Sequence, residues 1–412
     1  MSRCCHQIVL GEFHVTVTTD SDVYYDPYDV EITADPYPVY RRLREEAPLY
    51  YNEPYDFYAV SRADDVELGL RDRDTFISGR GGILEVIKAG VEMPPGLVIF
   101  EDPPTHGMHR SLMARMFTPK KVASLEPQIR ELCARSMDPL VGSDGFDVIA
   151  EIGAIVPTRV IGMLLGIPEE DQDAVKARTD AHLRTEAGKP MEVGDDFIES
   201  NQFGEYIDWR AEHPSDDIMT EMLNVEFDDE HGVHRRLSRE ELLTYLTVVA
   251  GAGNETTTKL IGWFTKLLAD HPDQRRAVVE DRSLVDGTIE EVLRFQPPGP
   301  AVARYVAKDA EFHGQTVPAG SALLCLVGAA NRDDARFPDS DRFDVRRNDG
   351  PHITFGYGAH FCLGAALARL QGRIVLDEML QRFPEWEVDM AGANLAPTST
   401  VRGWEKLPIR LP

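Results

Sequence analysis

One long helix is the feature of the sequence that most restricts the fold. Ser238, followed three residues later by Glu241, forms a capping box, a pattern that begins many helices. The helical pattern then continues to about Asp270, shortly before Pro272. A helix of about 30 residues, at about 1.5 Å per residue, would cross the whole molecule. The other elements must therefore pack around this helix, and its middle is where chemistry could take place.

Around this helix the sequence predicts a mainly α fold with a minor β region. Helical periodicity begins near Pro36 and is the dominant pattern from Glu126 to about Leu267. Val-rich pieces separated by Pro and Gly follow Arg294 and predict a small antiparallel β region. A last helix is expected from near Leu363 to about Phe383.

Composition and charge restrict the partners and the location. The chain has 412 residues, with 70 Asp and Glu against 43 Lys and Arg, and a formal net charge of -27. Such a surface repels nucleic acid and anionic membranes. The five cysteines are odd in number and irregularly spaced, which favours a reducing cytoplasm over a disulfide framework. We expect a soluble, cytoplasmic monomer with a single domain over residues 36–412, preceded by an extension, residues 1–35, without a recognisable pattern.

A glycine-framed cysteine precedes the last predicted helix. Cys362 would lie near free backbone N–H groups and the positive end of the helix dipole, which stabilise a thiolate. Gly358 permits backbone angles that a side chain would forbid, and Gly364 permits the close approach of a flat partner. A cysteine near a helix start is by itself more often an inert core residue. The glycine frame favours a large planar ligand instead.

The order F-x-x-G-x-H-x-C-x-G resembles the haem-binding signature of the cytochrome P450 family. The resemblance runs from about Pro36 to Trp404. It implies a long central helix over haem b (iron protoporphyrin IX) and a cysteine-ligand loop before the last long helix. It also implies that the Cys362 thiolate is the axial ligand of the haem iron. The other residues of this signature that would contact the cofactor are Phe355, Gly358, His360 and Gly364.

The middle of the long helix carries polar residues in a run that otherwise reads as buried. A buried charge is costly, which makes Glu255 a candidate for proton handling. Alternatively, Glu255 forms a structural salt bridge and the Thr256 hydroxyl bonds back to its own helix. The segment A-G-x-E-T-T resembles the oxygen-activation segment of the family. That resemblance implies that Ala252 lies against the haem, Thr256 positions dioxygen and Glu255 relays protons.

Two further motifs have supporting roles in this family. Glu291 and Arg294, three residues apart on one helix face, resemble an E-x-x-R pair that packs with a later arginine behind the cysteine loop. The residue expected in that later place is Arg342, and the role of all three is structural. The pattern D-P-P-x-H-x-x-x-R resembles a clamp for the haem propionates. The residues expected to form this clamp are His106, Arg110, Arg304 and His360; any one of them could instead be an ordinary surface charge.

A substrate pocket is expected by analogy with the family. Its roof is the loop from Ile83 to Phe100, within a segment rich in Gly and Pro. The residues expected to line it are Ile83, Val98, Val248, Val249, Ala301, Val302 and Val401. These side chains are apolar, which indicates a small hydrophobic substrate such as a terpene, a steroid or a fatty acid. Each of them could also belong to the ordinary core.

The resemblance implies a monooxygenase that uses O2 and electrons from a ferredoxin-like or flavin protein. This donor would dock on the cysteine side, where Arg110, Lys120 and Lys121 are expected on one helix. A peroxygenase that uses hydrogen peroxide is an alternative, but the acid and alcohol pair favours the monooxygenase. A haem sensor or carrier without turnover is a third possibility, in which that pair would be superfluous.

Overall fold

The computed structural model describes residues 22–94, 96–183, 185–193, 203–396 and 400–412. The α-helices of these residues are α1 (Val30–Ala34), α2 (Tyr37–Glu46), α3 (Ala63–Arg71), α4 (Leu84–Ala89), α5 (Thr105–Ala114), α6 (Pro119–Ser124), α7 (Glu126–Met137), α8 (Ile155–Leu165), α9 (Glu169–Leu183), α10 (Gly204–Glu212), α11 (Ile218–Asn224), α12 (Arg239–Asp270), α13 (Pro272–Glu280), α14 (Val285–Phe295), α15 (Val327–Ala330) and α16 (Ala365–Arg382). The strands are β1 (Leu49–Asn52), β2 (Phe57–Val60), β3 (Phe76–Ile77), β4 (Gly145–Asp147), β5 (Glu226–Asp228), β6 (His234–Arg236), β7 (Val302–Val306), β8 (Ala310–Phe312), β9 (Gln315–Val317), β10 (Ala322–Cys325), β11 (Glu387–Val388), β12 (Asn394–Leu395), β13 (Trp404–Lys406) and β14 (Pro408–Arg410).

The predicted long helix is α12, with 32 residues and a length of about 48 Å. Its capping box is confirmed, because the Ser238 hydroxyl accepts from the N–H of Glu241 while the Glu241 carboxylate accepts from the N–H of Ser238. The helix packs against α8, α9, α14 and α16. The largest hydrophobic cluster includes side chains from all five of these helices. The mainly α fold expected from the sequence is confirmed.

The minor β region is confirmed as well. Five short strands form the main sheet in the order β1-β2-β10-β7-β3. Strand β10 runs parallel to β2, and the other neighbours are antiparallel. Strand β7 follows α14 after a short link and carries Arg304, which is only 5% exposed. The sheet therefore brings a buried cation into the interior.

Two segments differ from the sequence-based picture. The segment 226–236 before α12, for which no strand was predicted, forms the hairpin of β5 and β6, with Phe227 opposite Arg235. The predicted roof loop contains the short helix α4, which ends at Gly90 in the left-handed region, with a φ of 65°. The stretch Leu84–Ala89 has residues that favour helix, and a left-handed glycine is a common helix end.

A buried polar network fixes the end of the roof loop. The carboxylate of Glu101 accepts from the N–H of Gly96 at 2.8 Å and lies 2.7 Å from Nδ1 of His109 on α5. Nε2 of His109 lies 3.7 Å from Glu241, which pairs with Arg235 of the hairpin. The network therefore links the roof to α5, α12 and the hairpin.

The described part of the N-terminal extension packs on the body of the molecule. Tyr25 and Tyr28 are buried, and the ring centroid of Tyr25 lies 5.8 Å from that of Tyr40 on α2. Residues 1–21 lie outside the described residues. The domain boundary at residue 36 stays a prediction.

Among the described helices, none alone combines the length and apolar character needed to cross a bilayer. One consecutive pair, Ile149–Leu165 with Glu169–Ala177, passes the same test by length and composition but is bent by 112°.

Candidate functional site

The loop that carries Cys362 has a defined backbone shape. A 3₁₀ turn spans Gly358–His360, and α16 begins shortly after the cysteine. The N–H of Cys362 donates to the carbonyl oxygen of Phe355 at 2.8 Å, which closes the loop. Gly358 has a φ of 69°, and a Cβ there would lie 3.4 Å from the Cα of Arg71. The expected need for glycine at this position is therefore confirmed.

Cys362 combines an accessible side chain with several neighbouring polar and charged groups. The residue is exposed, yet the surrounding protein raises the pKa of its thiol above the usual value. The N–H of Gly364 lowers that pKa, as do Arg110 and Arg369. The N-terminus of α16 adds a partial positive charge nearby. A metal ion at the sulfur would deprotonate it outright, so this is a suitable environment for a thiolate ligand.

Four side chains with hydrogen-bond donors converge beside this loop. The rings of His106 and His360 lie 4.1 Å apart, and Arg110 donates to the carbonyl oxygen of Phe361. Burial, followed by His106, Arg304 and Arg110, lowers the pKa of His360 to about 3. Burial and Arg110 also lower the pKa of His106. The cluster therefore combines two guanidinium groups with two imidazoles that resist protonation.

This cluster fits the carboxylates of a haem. Nε2 of His106 is buried, and within the described part of the chain it has no hydrogen-bond partner. Burial lowers the pKa of both Arg304 and Arg110, as expected for cations that lack enough compensating charge. Anionic propionates would supply that charge and accept hydrogen bonds. Together with the cysteine sulfur, the donor set matches what a haem requires.

The middle of α12 borders a cleft. Ala252 is exposed, although the helix is buried at Val249 and Ala250 and again from Thr257 to Leu260. An exposed residue halfway along a helix that crosses the core requires open space beside it. Ala252 is therefore placed where a large ligand could contact the helix.

The acid and the alcohol next to this position both have partners within their own helix. The carboxylate of Glu255 is 15% exposed and lies 3.5 Å from Nζ of Lys259. The Thr256 hydroxyl donates to the carbonyl oxygen of Ala252 at 2.8 Å. Both contacts match the alternative given by the sequence, in which Glu255 forms a structural salt bridge and the Thr256 hydroxyl bonds to its own helix. They leave the hydroxyl oxygen of Thr256 able to accept a further hydrogen bond.

The structure brings together some of the expected pocket residues. Ile83 and Val248 pack in one cluster with Val86, Leu97 and Phe100 of the roof. This cluster joins the roof to the wall formed by α12, as expected for a pocket boundary. Hydrophobic side chains from two elements therefore meet at this side of α12.

The other expected pocket residues are dispersed. Val98 and Val249 are buried in the main core, and Val302 packs in the separate cluster around Leu323. Ala301 lines a cavity of about 130 Å³ together with Ile83. Val401 is half-buried in the last segment.

A buried ion-pair network lies behind the loop, and it corrects one assignment. Arg294 forms two hydrogen bonds with Glu291, at 2.7 and 2.8 Å, and the third member is Arg347, 3.2 Å from Glu291. The prediction that Arg342 is the third member was wrong. The Arg342 side chain is 68% exposed and its nearest carboxylate is Asp344 at 3.5 Å. Arg342 contributes its carbonyl oxygen instead, which accepts from Arg294 and Arg347.

The basic residues expected on one helix lie on two. Arg110 is on α5, whereas Lys120 and Lys121 are on α6, and Lys121 pairs with Glu221. Thr118 caps α6 in an extended conformation, which separates it from the preceding turn. The expectation of a single basic helix was therefore wrong.

Three residues at or near the site were missed from the sequence. Lys259 follows Glu255 by four residues, a spacing that places the two on one helix face and could have revealed it. Arg369 lies on α16 next to Phe355, with its guanidinium 4.4 Å from the ring centroid. No local sequence pattern identifies Arg347, because its contact with Glu291 depends on how the preceding loop folds.

Known proteins resemble this chain in sequence and in structure. The family model of cytochrome P450 matches residues 195–401. Over 398 residues the chain is 38% identical to cytochrome P450 123 of Mycobacterium tuberculosis, covering 95% of this chain and 97% of that protein. The structure of CYP109Q5 from Chondromyces apiculatus has a TM-score of 0.83 and 32% identity, covering 94% of this chain and 98% of that one. CYP109E1 from Bacillus megaterium, solved in complex with testosterone, has a TM-score of 0.82 and 28% identity, covering 92% and 99%.

The corrected ion-pair network makes a testable distinction between two arginines. We expect Arg347→Met to lower the free energy of unfolding by about 1.5–3 kcal/mol, because Glu291 keeps Arg294 but loses one charged hydrogen bond in a buried place. Arg342→Met should cost less than about 1 kcal/mol, since its ion pair is exposed. Urea denaturation of both variants measures this difference. Equal losses, or a larger loss for Arg342→Met, would contradict the assignment.

Proposed function

The chain belongs to the cytochrome P450 family of haem-thiolate monooxygenases, and we propose that it transfers one oxygen atom from O2 to a small hydrophobic substrate. Its cofactor is haem, iron protoporphyrin IX, and enzymes of this family work with a redox partner. The observation that carries the proposal is the Cys362 loop, closed by its own backbone and lying beside a cluster of two guanidinium groups and two imidazoles.

The residues at the site divide the task of holding the cofactor. Cys362 would bind the iron, and Ala252 would contact the cofactor from α12. The residues that would hold the propionates are His106, Arg110, Arg304 and His360. When bound, haem supplies the iron at which dioxygen is activated for the transfer of one oxygen atom.

We assign proton handling to Glu255 and Thr256. The Thr256 hydroxyl donates to Ala252, so its oxygen can accept from a water molecule in the cleft. The carboxylate of Glu255, on the preceding residue, can exchange protons with solvent because it is partly exposed. The attraction to Lys259 holds this carboxylate along the helix. The pair can therefore pass protons from the protein surface into the cleft.

We propose a lipophilic substrate, such as a terpene, a steroid or a fatty acid. The cluster of Ile83, Val248 and the buried roof residues supports this class, because apolar walls favour apolar ligands. The similar protein CYP109E1 was solved with testosterone, which is a steroid.

The electron donor is proposed to be a ferredoxin-like or flavin protein that docks beside the Cys362 loop. Tyr357 and Phe361 of this loop are 37% and 41% exposed, which gives an apolar surface for a protein contact. Arg110 lies next to Phe361, and Lys120 is exposed on α6. Positive charge around an apolar centre would suit an acidic donor. A monomeric state and a cytoplasmic location stay predictions.

Replacement of Cys362 tests the proposed ligand. We expect Cys362→Ala to lose most of its haem, and Cys362→Ser to lose the long-wavelength Soret band that the reduced carbon monoxide complex shows with thiolate ligation. Absorption spectra of the purified variants measure both effects. Cys133→Ala, at a buried cysteine on α7, is the control and should keep the band. A Cys362→Ala protein that retains haem and full turnover would overturn the proposal.

Replacement of Glu255 or Thr256 tests the proton relay. With a ferredoxin and its reductase supplying electrons, we expect Glu255→Gln and Thr256→Ala to lower product formation by about 10²-fold or more. Oxygen consumption should continue with release of hydrogen peroxide, because protons no longer arrive in step with electrons. Thr247→Ala is the control, since Thr247 makes the same bond to its own helix, at 2.9 Å to the carbonyl oxygen of Leu243.

The same assay separates the monooxygenase from a peroxygenase. A monooxygenase should form product with the donor pair and do so poorly with low concentrations of peroxide. Full turnover with peroxide in every relay variant, and none with ferredoxin or flavodoxin pairs, would refute both the relay and the proposed donor.

A binding titration tests the substrate class. We expect testosterone or a long-chain fatty acid to produce the substrate-type shift of the Soret band, and glucose 6-phosphate to produce none. Val248→Asp should weaken binding by about tenfold or more, because a charge would then lie in an apolar wall. Val233→Asp is the control, since Val233 is 54% exposed in the turn between β5 and β6 and is not part of the apolar cluster of the roof. A shift that appears only with the charged compound would rule out a lipophilic substrate.

A further inference from the structure

The aromatic ring that begins the cysteine loop is covered by a cation. Phe355 is half-buried, and its carbonyl oxygen accepts from the N–H of Cys362 at 2.8 Å. The guanidinium of Arg369 lies 4.4 Å from the centroid of the Phe355 ring. A guanidinium at this distance is attracted to the ring and stacks on it. Arg369 is therefore tied to the residue that closes the loop around the sulfur.

A carboxylate on a different helix fixes the orientation of this guanidinium. The carboxylate of Glu290 on α14 accepts from Nε and Nη2 of Arg369 at 2.7 and 2.9 Å. Nε2 of His352 lies 3.3 Å from the same carboxylate. Burial opposes ionisation, but His352 and Arg369 hold the pKa of Glu290 at about 2. The carboxylate is therefore charged, and its two hydrogen bonds set the plane of the guanidinium against the ring.

The positive charge of Arg369 lies close to the loop that carries the sulfur. Its guanidinium stacks on the ring of Phe355, the residue whose carbonyl oxygen accepts from the N–H of Cys362. Arg110 also contacts the loop directly through Phe361, whereas Arg369 reaches it through the ring of Phe355. One-electron reduction of ferric to ferrous haem adds one negative charge to the unit formed by the haem iron and the sulfur of Cys362. A fixed cation close to the sulfur should favour the reduced form.

We propose that Arg369, clamped by Glu290 and stacked on Phe355, is a positioning residue that raises the reduction potential of the haem held by Cys362. The inference rests on the proposed ligation by Cys362. It goes beyond that ligation because it assigns a function to an ion pair that contacts neither the iron nor the substrate. The opposite charges of Glu290 and Arg369 should therefore shift the potential in opposite directions.

A purely structural role of the Glu290–Arg369 pair would give a different result. If the pair only joined α14 to α16, removal of either partner would loosen the loop in the same way. Both variants would then lose the thiolate band together and shift the potential in one direction. The sign of the shift therefore separates an electrostatic role from a structural one.

The experiment measures the reduction potential of the holoenzyme by spectroelectrochemistry. Arg369→Met should lower the reduction equilibrium constant by about tenfold, which is about 59 mV for a one-electron couple. A neighbouring charge changes the ionisation equilibrium of a group by about tenfold or more. We take the low end of that range, because Glu290 partly neutralises the charge of Arg369. Glu290→Gln keeps a hydrogen-bond acceptor but removes the negative charge, and it should raise the potential. Arg369→Lys keeps the charge, and its reduction potential should lie between those of the wild type and Arg369→Met.

Arg373→Met is the matched control. Arg373 lies one turn further along α16, is 38% exposed like Arg369, and pairs with Glu126 at 3.1 Å. Its replacement should leave the potential unchanged. Absorption spectra of the reduced carbon monoxide complex of every variant show whether the thiolate is still bound.

The outcomes distinguish this inference from the proposed function. A wild-type protein without the thiolate band would refute both. A wild type with the band, combined with equal potentials for Arg369→Met and Arg373→Met, would refute the inference alone. Shifts of Arg369→Met and Glu290→Gln in the same direction would also refute it. If Arg369→Met does not retain haem, the opposite signs expected for Arg369→Lys and Glu290→Gln decide the question.

Discussion

A negatively charged sulfur inside a protein has to be surrounded by donors and cations, because removing a charge from water costs several kcal/mol. At Cys362 the N–H of Gly364, Arg110 and Arg369 supply this environment. They come from the loop itself, from α5 and from α16, so three elements must meet at one atom.

The loop is connected to the core by a chain of hydrogen bonds. Arg294 donates to the carbonyl oxygen of Asn331 at 2.8 Å, and the side-chain amide of Asn331 donates to the Thr354 hydroxyl at 2.8 Å. Phe355 follows directly and accepts from Cys362. The buried pair on α14 is thus linked through hydrogen bonds to the segment that leads into the Cys362 loop, without touching the sulfur. This explains how a motif that is weak in isolation can have a large structural effect.

The sequence predicts those parts of the fold that depend on local chemistry. The capping box of α12, the left-handed Gly358 and the helix after Cys362 follow from neighbouring residues, and the structure has all three. Arg347 could not be found in this way, because Arg342 and Arg347 differ only in which side chain the folded loop turns inward. The same holds for the Arg369 stack, since its carboxylate lies on another helix. Contacts between distant segments depend on the tertiary fold, whereas caps and turns do not.

In the middle of α12, the structural and the functional interpretation of the Glu255 and Thr256 pair do not exclude each other. The bond from Thr256 to Ala252 satisfies the hydroxyl hydrogen inside the helix, while the oxygen keeps its capacity to accept. The contact between Glu255 and Lys259 likewise compensates a largely buried carboxylate, which would otherwise destabilise the helix. The proton relay that we propose has to be stable in the absence of substrate, and these internal partners would provide that stability. The contacts that support the structural interpretation are therefore compatible with the proposed function.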